Sequence, residues 1–236
     1  MPIMKEHFLR SAHDTTFSPT GLYNFIKGSE MTDSSGADPA KNLTETDAAM
    51  EAADFLPGSA EGLLHGIYYR NDASDFQYSG AMTLVGLCFM TTYTPDQYVQ
   101  IGTANNTGTT DALYALQIKT DGIFRYAHQT NQAVHIVESD QINYSLHEWH
   151  HFCFTRDSNG TAIKLYVDGL LVKSATVGAG PGSTGTAYFS TGGVANHAPG
   201  AQDDATVSSV AIFDQELSAG QVKYLARKTL GYHRVV

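Results

Sequence analysis

A chain of 236 residues is within the reach of one all-β domain, and 42% hydrophobic against 16% charged residues excludes a disordered polymer. Fourteen Lys and Arg against 24 Asp and Glu leave a net charge of −10 with no basic stripe, so no nucleic acid partner is expected. No run approaches the ~20 apolar residues that span a bilayer, so membrane insertion is not expected either. The 22 glycines, 13 tyrosines and 11 phenylalanines favour strands and turns over long helices.

In chain order, residues 1–20 are polar and irregular and read as an N-terminal arm that orders on a partner. Their apolar content is too thin for a classical signal peptide. The first apolar run, GLYNFI, begins at Gly21, and GSEMTDSSGADPAKN over 28–42 is loop chemistry. Residues 44–54, TETDAAMEAAD, suit a short helix, with Thr44 and Asp47 in a loose capping box. From Leu63 onward, short apolar or alternating runs are separated by turns. They include MTLVGLCFMTTY from Met82, IFRYAH from Ile123, HHFCFTR from His150, IKLYVDG from Ile163 and VSSVAIF from Val207. Turn signals at Thr120-Asp121-Gly122, Asp157-Ser158-Asn159-Gly160 and Asp168-Gly169 complete the pattern of a two-sheet sandwich. The segment LSAGQVKYLARKTLGY closes the chain as a short amphipathic helix capped by Ser218. With no internal repeat, 21–236 reads as one domain behind the arm 1–20.

Cys88 and Cys153 each lie in an apolar strand-like run and read as small buried hydrophobes, a single disulfide being the minor alternative. The Asn-x-Ser/Thr matches at Asn42, Asn105, Asn143 and Asn159 read as chance.

Glu148-Trp149-His150-His151-Phe152-Cys153-Phe154-Thr155-Arg156-Asp157, followed by Ile163-Lys164-Leu165-Tyr166-Val167-Asp168-Gly169, resembles a hairpin of the laminin-G-like domains in the concanavalin A-like lectin/glucanase superfamily. Gly21-Leu22-Tyr23, Leu64-His65-Gly66, Met82-Thr83-Leu84 and Val207 to Asp214 fall in the family's order, so the resemblance covers about 21–230. It implies an all-β, two-sheet antiparallel jelly-roll sandwich with a short C-terminal helix, and a core position for Trp149. The calcium that the family pattern implies loses its usual marker, because Ser208-Ser209 stand where an acidic pair is usual. Asp203 and Asp204 lie just upstream, at a spacing that does not carry over. No cofactor or metal is therefore expected.

His147-Glu148-Trp149-His150-His151 fits H-E-x-x-H, the zinc-protease spacing, but that spacing binds one ion only on a helix. On a strand the two outer histidines stand ~13 Å apart. Superfamily glucanases use an E-x-D-x-x-E strand with two carboxylates about 5 Å apart. Here Glu138-Ser139-Asp140 is followed by Asn143 in place of the second glutamate, so no enzyme is expected.

Binding remains. Aromatic faces stack on sugar C–H patches, and planar amides and carboxylates bond hydroxyls. Tyr93, Asn105, His128, Asn131, Asn196, His197, Asp203 and Asp204 supply these groups on expected loops and form the candidate ligand-binding set. Two functions follow. One is a non-enzymatic structural or surface module, a virion component such as a phage decoration, tail or fibre protein, docked on other subunits through its arm. The alternative is a free-standing carbohydrate-binding, lectin-like module. Both place the chain on a virion or extracellular surface, and glycans are candidate partners of either.

Overall fold

The computed structural model describes residues 21–24, 44–45, 63–64, 69–72, 78–90, 98–104, 114–119, 122–130, 133–182, 188–191 and 205–233. The strands begin with β1 (Gly21–Asn24), β2 (Thr44–Glu45), β3 (Leu63–Leu64), β4 (Tyr69–Asp72) and β5 (Met82–Met90). They continue with β6 (Tyr98–Ala104), β7 (Tyr114–Lys119), β8 (Phe124–Gln129), β9 (Val134–Glu138) and β10 (Trp149–Arg156). The last are β11 (Ala162–Val167), β12 (Leu170–Thr176), β13 (Tyr188–Thr191) and β14 (Ala205–Phe213), before the helix α1 (Ala219–His233).

Two antiparallel sheets face each other. The first runs β1-β14-β5-β10-β11-β12, with β3 also paired to β14, and the second runs β2-β4-β13-β6-β7-β8-β9. This is the expected jelly-roll sandwich. In β10, His150, Phe152 and Phe154 point inward and His151 and Cys153 outward, the period-two alternation of a strand. The inward set meets the second sheet, with Phe152 ring to ring with Phe124 at 5.5 Å and Phe154 with Tyr126 at 4.7 Å. Each such buried ring contributes roughly 1.5–3 kcal/mol.

The outward face of the first sheet is also covered, by α1. Val85, Cys153, Tyr166, Ala211 and Phe213 form a second apolar cluster with Leu217, Val222 and Leu225. That double cover explains why β5 is buried almost throughout instead of alternating with polar residues. Ser218 caps α1 as expected: its hydroxyl accepts the Gln221 amide at 3.3 Å, while the Gln221 side-chain oxygen accepts the Ser218 amide at 2.8 Å. The link into α1 is pinned to β5 by Thr83, whose hydroxyl donates to the Gln215 carbonyl (2.8 Å) and accepts the Leu217 amide (3.0 Å).

Two of the expected turns form, while Thr120 and Asp121 of the third lie outside the described residues. Asp168 and Gly169 both have positive φ (53° and 78°), the two-residue geometry of a tight hairpin, between Val167 and its partner Leu170. At the other end of β10, Asp157 Oδ1 accepts the amides of Thr161 (2.7 Å) and Ala162 (2.8 Å). The helix expected from Thr44 is corrected: Thr44 and Glu45 pair with Arg70 and Tyr69 as a strand, because tertiary pairing outweighs the weak capping signal. Residues 46–54 of that segment lie outside the described residues.

Cys88 and Cys153 are both free and buried. They lie on adjacent strands but on opposite faces of the first sheet, Cys88 in the inner core and Cys153 beneath α1, so they do not face each other. Burial pushes both thiols well above the ordinary range. Both sheets end on one flank, with β9 and β12 as edges joined by Lys173 to Asp140 at 3.4 Å. The large apolar side chains left exposed among the described residues all sit on those edges: Val134 and Ile136 on β9, Leu170 and Leu171 on β12.

Candidate functional site

The strand registers gather the start of β10, the end of β5, the start of β14 and the Asp168-Gly169 turn at one end of the sandwich. There Trp149 pairs with Phe89, both half-buried, with ring centroids 5.4 Å apart. The exposed His147 sets its ring 6.4 Å from Phe89, edge-on. His147 has a φ of 62°, a left-handed turn locked by its amide on the Met90 carbonyl at 2.8 Å. Beside it Glu148, exposed, accepts the Ser145 hydroxyl at 2.6 Å, which orients the carboxylate. The result is an aromatic platform flanked by a fixed carboxylate, the combination that recognises polyhydroxylated ligands.

Beneath the platform the first histidine of the WHH motif forms a clasp. His150 Nε2 lies 2.8 Å from the Ser145 carbonyl, which can only accept, and Nδ1 lies 2.9 Å from Asp168 Oδ2. Both ring nitrogens therefore donate, and His150 is an imidazolium paired with a carboxylate. Burial alone would lower its pKa, but the Asp168 hydrogen bond and charge outweigh it and raise the pKa above the ordinary value. For Asp168, burial is outweighed by the bonds from His150 and from the His151 amide (2.9 Å), so its pKa is lowered.

Asp168→Asn keeps the left-handed turn, since Asn tolerates positive φ, and removes only the charge. It is expected to cost about 2 kcal/mol in urea denaturation, below the 3–5 of a fully buried pair because Asp168 is partly exposed. The sign is fixed by the shifts. The His150 contribution is full below the unfolded value of about 6.5 and is lost as pH rises through its raised pKa. The Asp168 contribution is full above about 3.9 and is lost as pH falls through its lowered pKa.

His151, next in sequence, is in the opposite state. It points outward under α1, fully buried, and neither ring nitrogen has a hydrogen-bond partner. Burial, opposed by the charge of Asp168, pushes its pKa down to about 4, so the ring is neutral. With His150 and His151 on opposite faces of a strand and His147 in a turn, the H-E-x-x-H spacing does not gather a metal site, and no group of three metal-ligating side chains forms among the described residues.

Of the expected ligand-binding set, His128 alone lies among the described residues, and its placement differs from the expected loop. It is inside β8, fully buried, with Nε2 donating to the Ala179 carbonyl (2.9 Å) and Nδ1 accepting the Tyr126 hydroxyl (2.9 Å). It is a core histidine and offers no ring edge to a surface ligand. Burial first, with the charges of Arg156 and His135, pushes its pKa down to about 4 against the raising effect of the Ala179 bond. Tyr93, Asn105, Asn131, Asn196, His197, Asp203 and Asp204 lie outside the described residues. The described strand ends that bracket Tyr93, Asn196, His197, Asp203 and Asp204 belong to the platform end, through Met90 and Ala205, whereas Ala104 and Gln129, which precede Asn105 and Asn131, lie at the opposite end.

The platform was missed at the sequence level because the motif placed Trp149 in the core. The signal was present: counting by twos from the inward Phe152 and Phe154 puts residue 149 on the outward face.

A two-sheet antiparallel jelly-roll sandwich of this strand order is a lectin-like fold. The chain belongs to the concanavalin A-like lectin/glucanases superfamily, whose laminin G-type family model matches residues 70–223. No curated protein matches the chain. Among solved structures, the botulinum neurotoxin serotype D binding domain is similar at a TM-score of 0.66 and 15% identity, over 89% of this chain and 51% of that one. The serotype D ligand binding domain in complex with N-acetylneuraminic acid aligns at a TM-score of 0.64 and 14% identity, over 93% and 52% of the two chains. The serotype G binding domain aligns at 0.62 and 15%, over 88% and 50%. The chain spans about half the length of these domains, and at such identity the likeness is one of fold.

Proposed function

We propose that this chain is a non-enzymatic, lectin-like module that binds a glycan at the platform end of its sandwich. The observation that carries the reading is the partly exposed Phe89–Trp149 pair, flanked by His147 and the oriented Glu148 carboxylate. A domain of the same fold in complex with N-acetylneuraminic acid supports the ligand class. The two carboxylates of the Glu138-Ser139-Asp140 segment support the absence of catalysis, because each is committed at the open flank, Glu138 to Arg125 (3.5 Å) and Asp140 to Lys173 (3.4 Å). In this reading Tyr93, Asn196, His197, Asp203 and Asp204 complete the site from neighbouring loops.

The test is a glycan array of the purified chain, with calcium and with chelator, beside Trp149→Ala. Wild type is expected to select one sugar class, and the variant to lose at least tenfold in affinity, as expected for about 1.5 kcal/mol of stacking. An unchanged Trp149→Ala profile would move the site away from the platform, and loss under chelator would put a metal into it.

A second reading, a virion component assembled with other subunits, is favoured by the exposed Val134, Ile136, Leu170 and Leu171 on the open edges. Its expected connector, the arm 1–20, lies outside the described residues. An array blank in both conditions would favour this reading.

A further inference from the structure

We propose that α1 is an acid-released cover: protonation of His151 lifts the helix from the outward face of the first sheet and exposes the apolar surface beneath it. The argument starts from what surrounds that ring. His151 shares a row across the sheet with Leu87 of β5 and Ser209 of β14, on the face that α1 covers. All three are buried, and the Ser209 hydroxyl, like both His151 nitrogens, has no hydrogen-bond partner. A neutral imidazole without partners already carries a desolvation cost, and an imidazolium there has no hydrogen-bond acceptor, the nearby charge of Asp168 being outweighed by burial.

The neighbouring elements supply no hydrogen-bond partner for the ring. Leu87 and Ser209 are uncharged. The turn after β11 brings Asp168, but its Oδ2 is bonded to the His150 imidazolium and its Oδ1 to the His151 amide. The charged side chains of α1 are Lys223, Arg227 and Lys228, and it carries no carboxylate. All three are exposed on the solvent side of the helix, so α1 offers a buried cation no compensating charge from its packed face. The least costly response is separation of α1 from the sheet, since the helix is held through one apolar face while His151 sits in a central strand paired on both sides.

Two thiols make the motion readable. Cys153 lies two residues along the same outward face, in the cluster with Val222 and Leu225, whereas Cys88 lies in the inner core between the sheets. Local release of α1 exposes Cys153 and leaves Cys88 protected, while global unfolding exposes both together. The experiment is labelling of the full chain with 4,4′-dithiodipyridine from pH 7.5 to 4.5, with rates normalised to free cysteine at each pH and the modified thiol identified by peptide mass. Cys153 is expected to react at least tenfold faster at pH 5 than at pH 7.5, with Cys88 unchanged. His151→Leu, which fills the site without a titrating group, is expected to abolish the acceleration. His151→Gln provides the same test should the leucine variant fail to fold. Simultaneous labelling of both thiols, protection of Cys153 at pH 5, or acceleration that persists without His151 would each overturn the proposal.

Discussion

Arg156→Met is expected to lower the stability of the domain by about 3–4 kcal/mol, read as a shift in the urea midpoint at unchanged slope. Arg156 is fully buried at the end of β10, with its guanidinium between the sheets. Its Nε donates to the Gly80 carbonyl at 2.9 Å, one Nη to the Tyr126 hydroxyl at 3.0 Å, and the other Nη to the Tyr78 carbonyl. Methionine fills much of the same volume, so the cavity term is small. The loss comes from two backbone carbonyls stripped of a charged donor, at roughly 1–3 kcal/mol for each stranded group. Tyr126→Phe removes the one hydroxyl shared by Arg156 and His128 and is expected to cost about 2 kcal/mol. If Arg156→Met costs less than Tyr126→Phe, the guanidinium is not what holds residues 78–80 against the sandwich.

Between pH 7 and pH 4 the domain is expected to lose stability through two histidines, by about 6 kcal/mol at most. His128 and His151 both have pKa values pushed down to about 4 against 6.5 in the unfolded chain. A base with a depressed folded pKa favours the folded state fully above 6.5 and loses that advantage as pH falls toward 4, about 3 kcal/mol for each ring. Tautomer geometry explains the effect at His128. Its Nδ1 accepts from Tyr126, whose oxygen in turn accepts from Arg156, so a proton on Nδ1 destroys one bond and faces a guanidinium. The His150 contribution runs the other way, being lost as pH rises, and so steepens nothing on the acid side. Urea midpoints at half-unit pH steps for wild type, His128→Gln, His151→Leu and the double variant test this. The double variant should be nearly flat from pH 7 to 5, and a wild-type slope surviving in it would place the acid sensitivity elsewhere.

The sandwich and its central hairpin were legible in the sequence because their signals are local. The alternation Phe152, Phe154 and the Asp168-Gly169 dipeptide specify strand, face and turn within twenty residues. Ser218 and Gln221 likewise announce the start of α1 at a spacing of three. What escaped depends on contacts between distant residues. The bonds from Arg156 to Gly80 and from His128 to Ala179 span 76 and 51 positions, and no pattern within a strand marks either histidine or arginine as interior. His128 was therefore expected on a loop with the sugar-binding groups. Thr44 was misread for a related reason: its partner Arg70 is supplied by a strand 26 positions on (70 − 44). Trp149 is a different failure, in which the family motif overrode a period-two count that gave the right face.

Both sheets end on the same flank, so the molecule has one side whose backbone hydrogen-bonding groups face outward in two parallel rows. Lys173, Asp140 and Glu138 are the charges stationed there, and such charges keep an open edge from accepting a foreign strand. Added salt weakens that guard without touching Val134 or Ile136. Concentration, storage and crystallisation of this protein are thus expected to respond to salt at this flank, where low ionic strength keeps the guard in place.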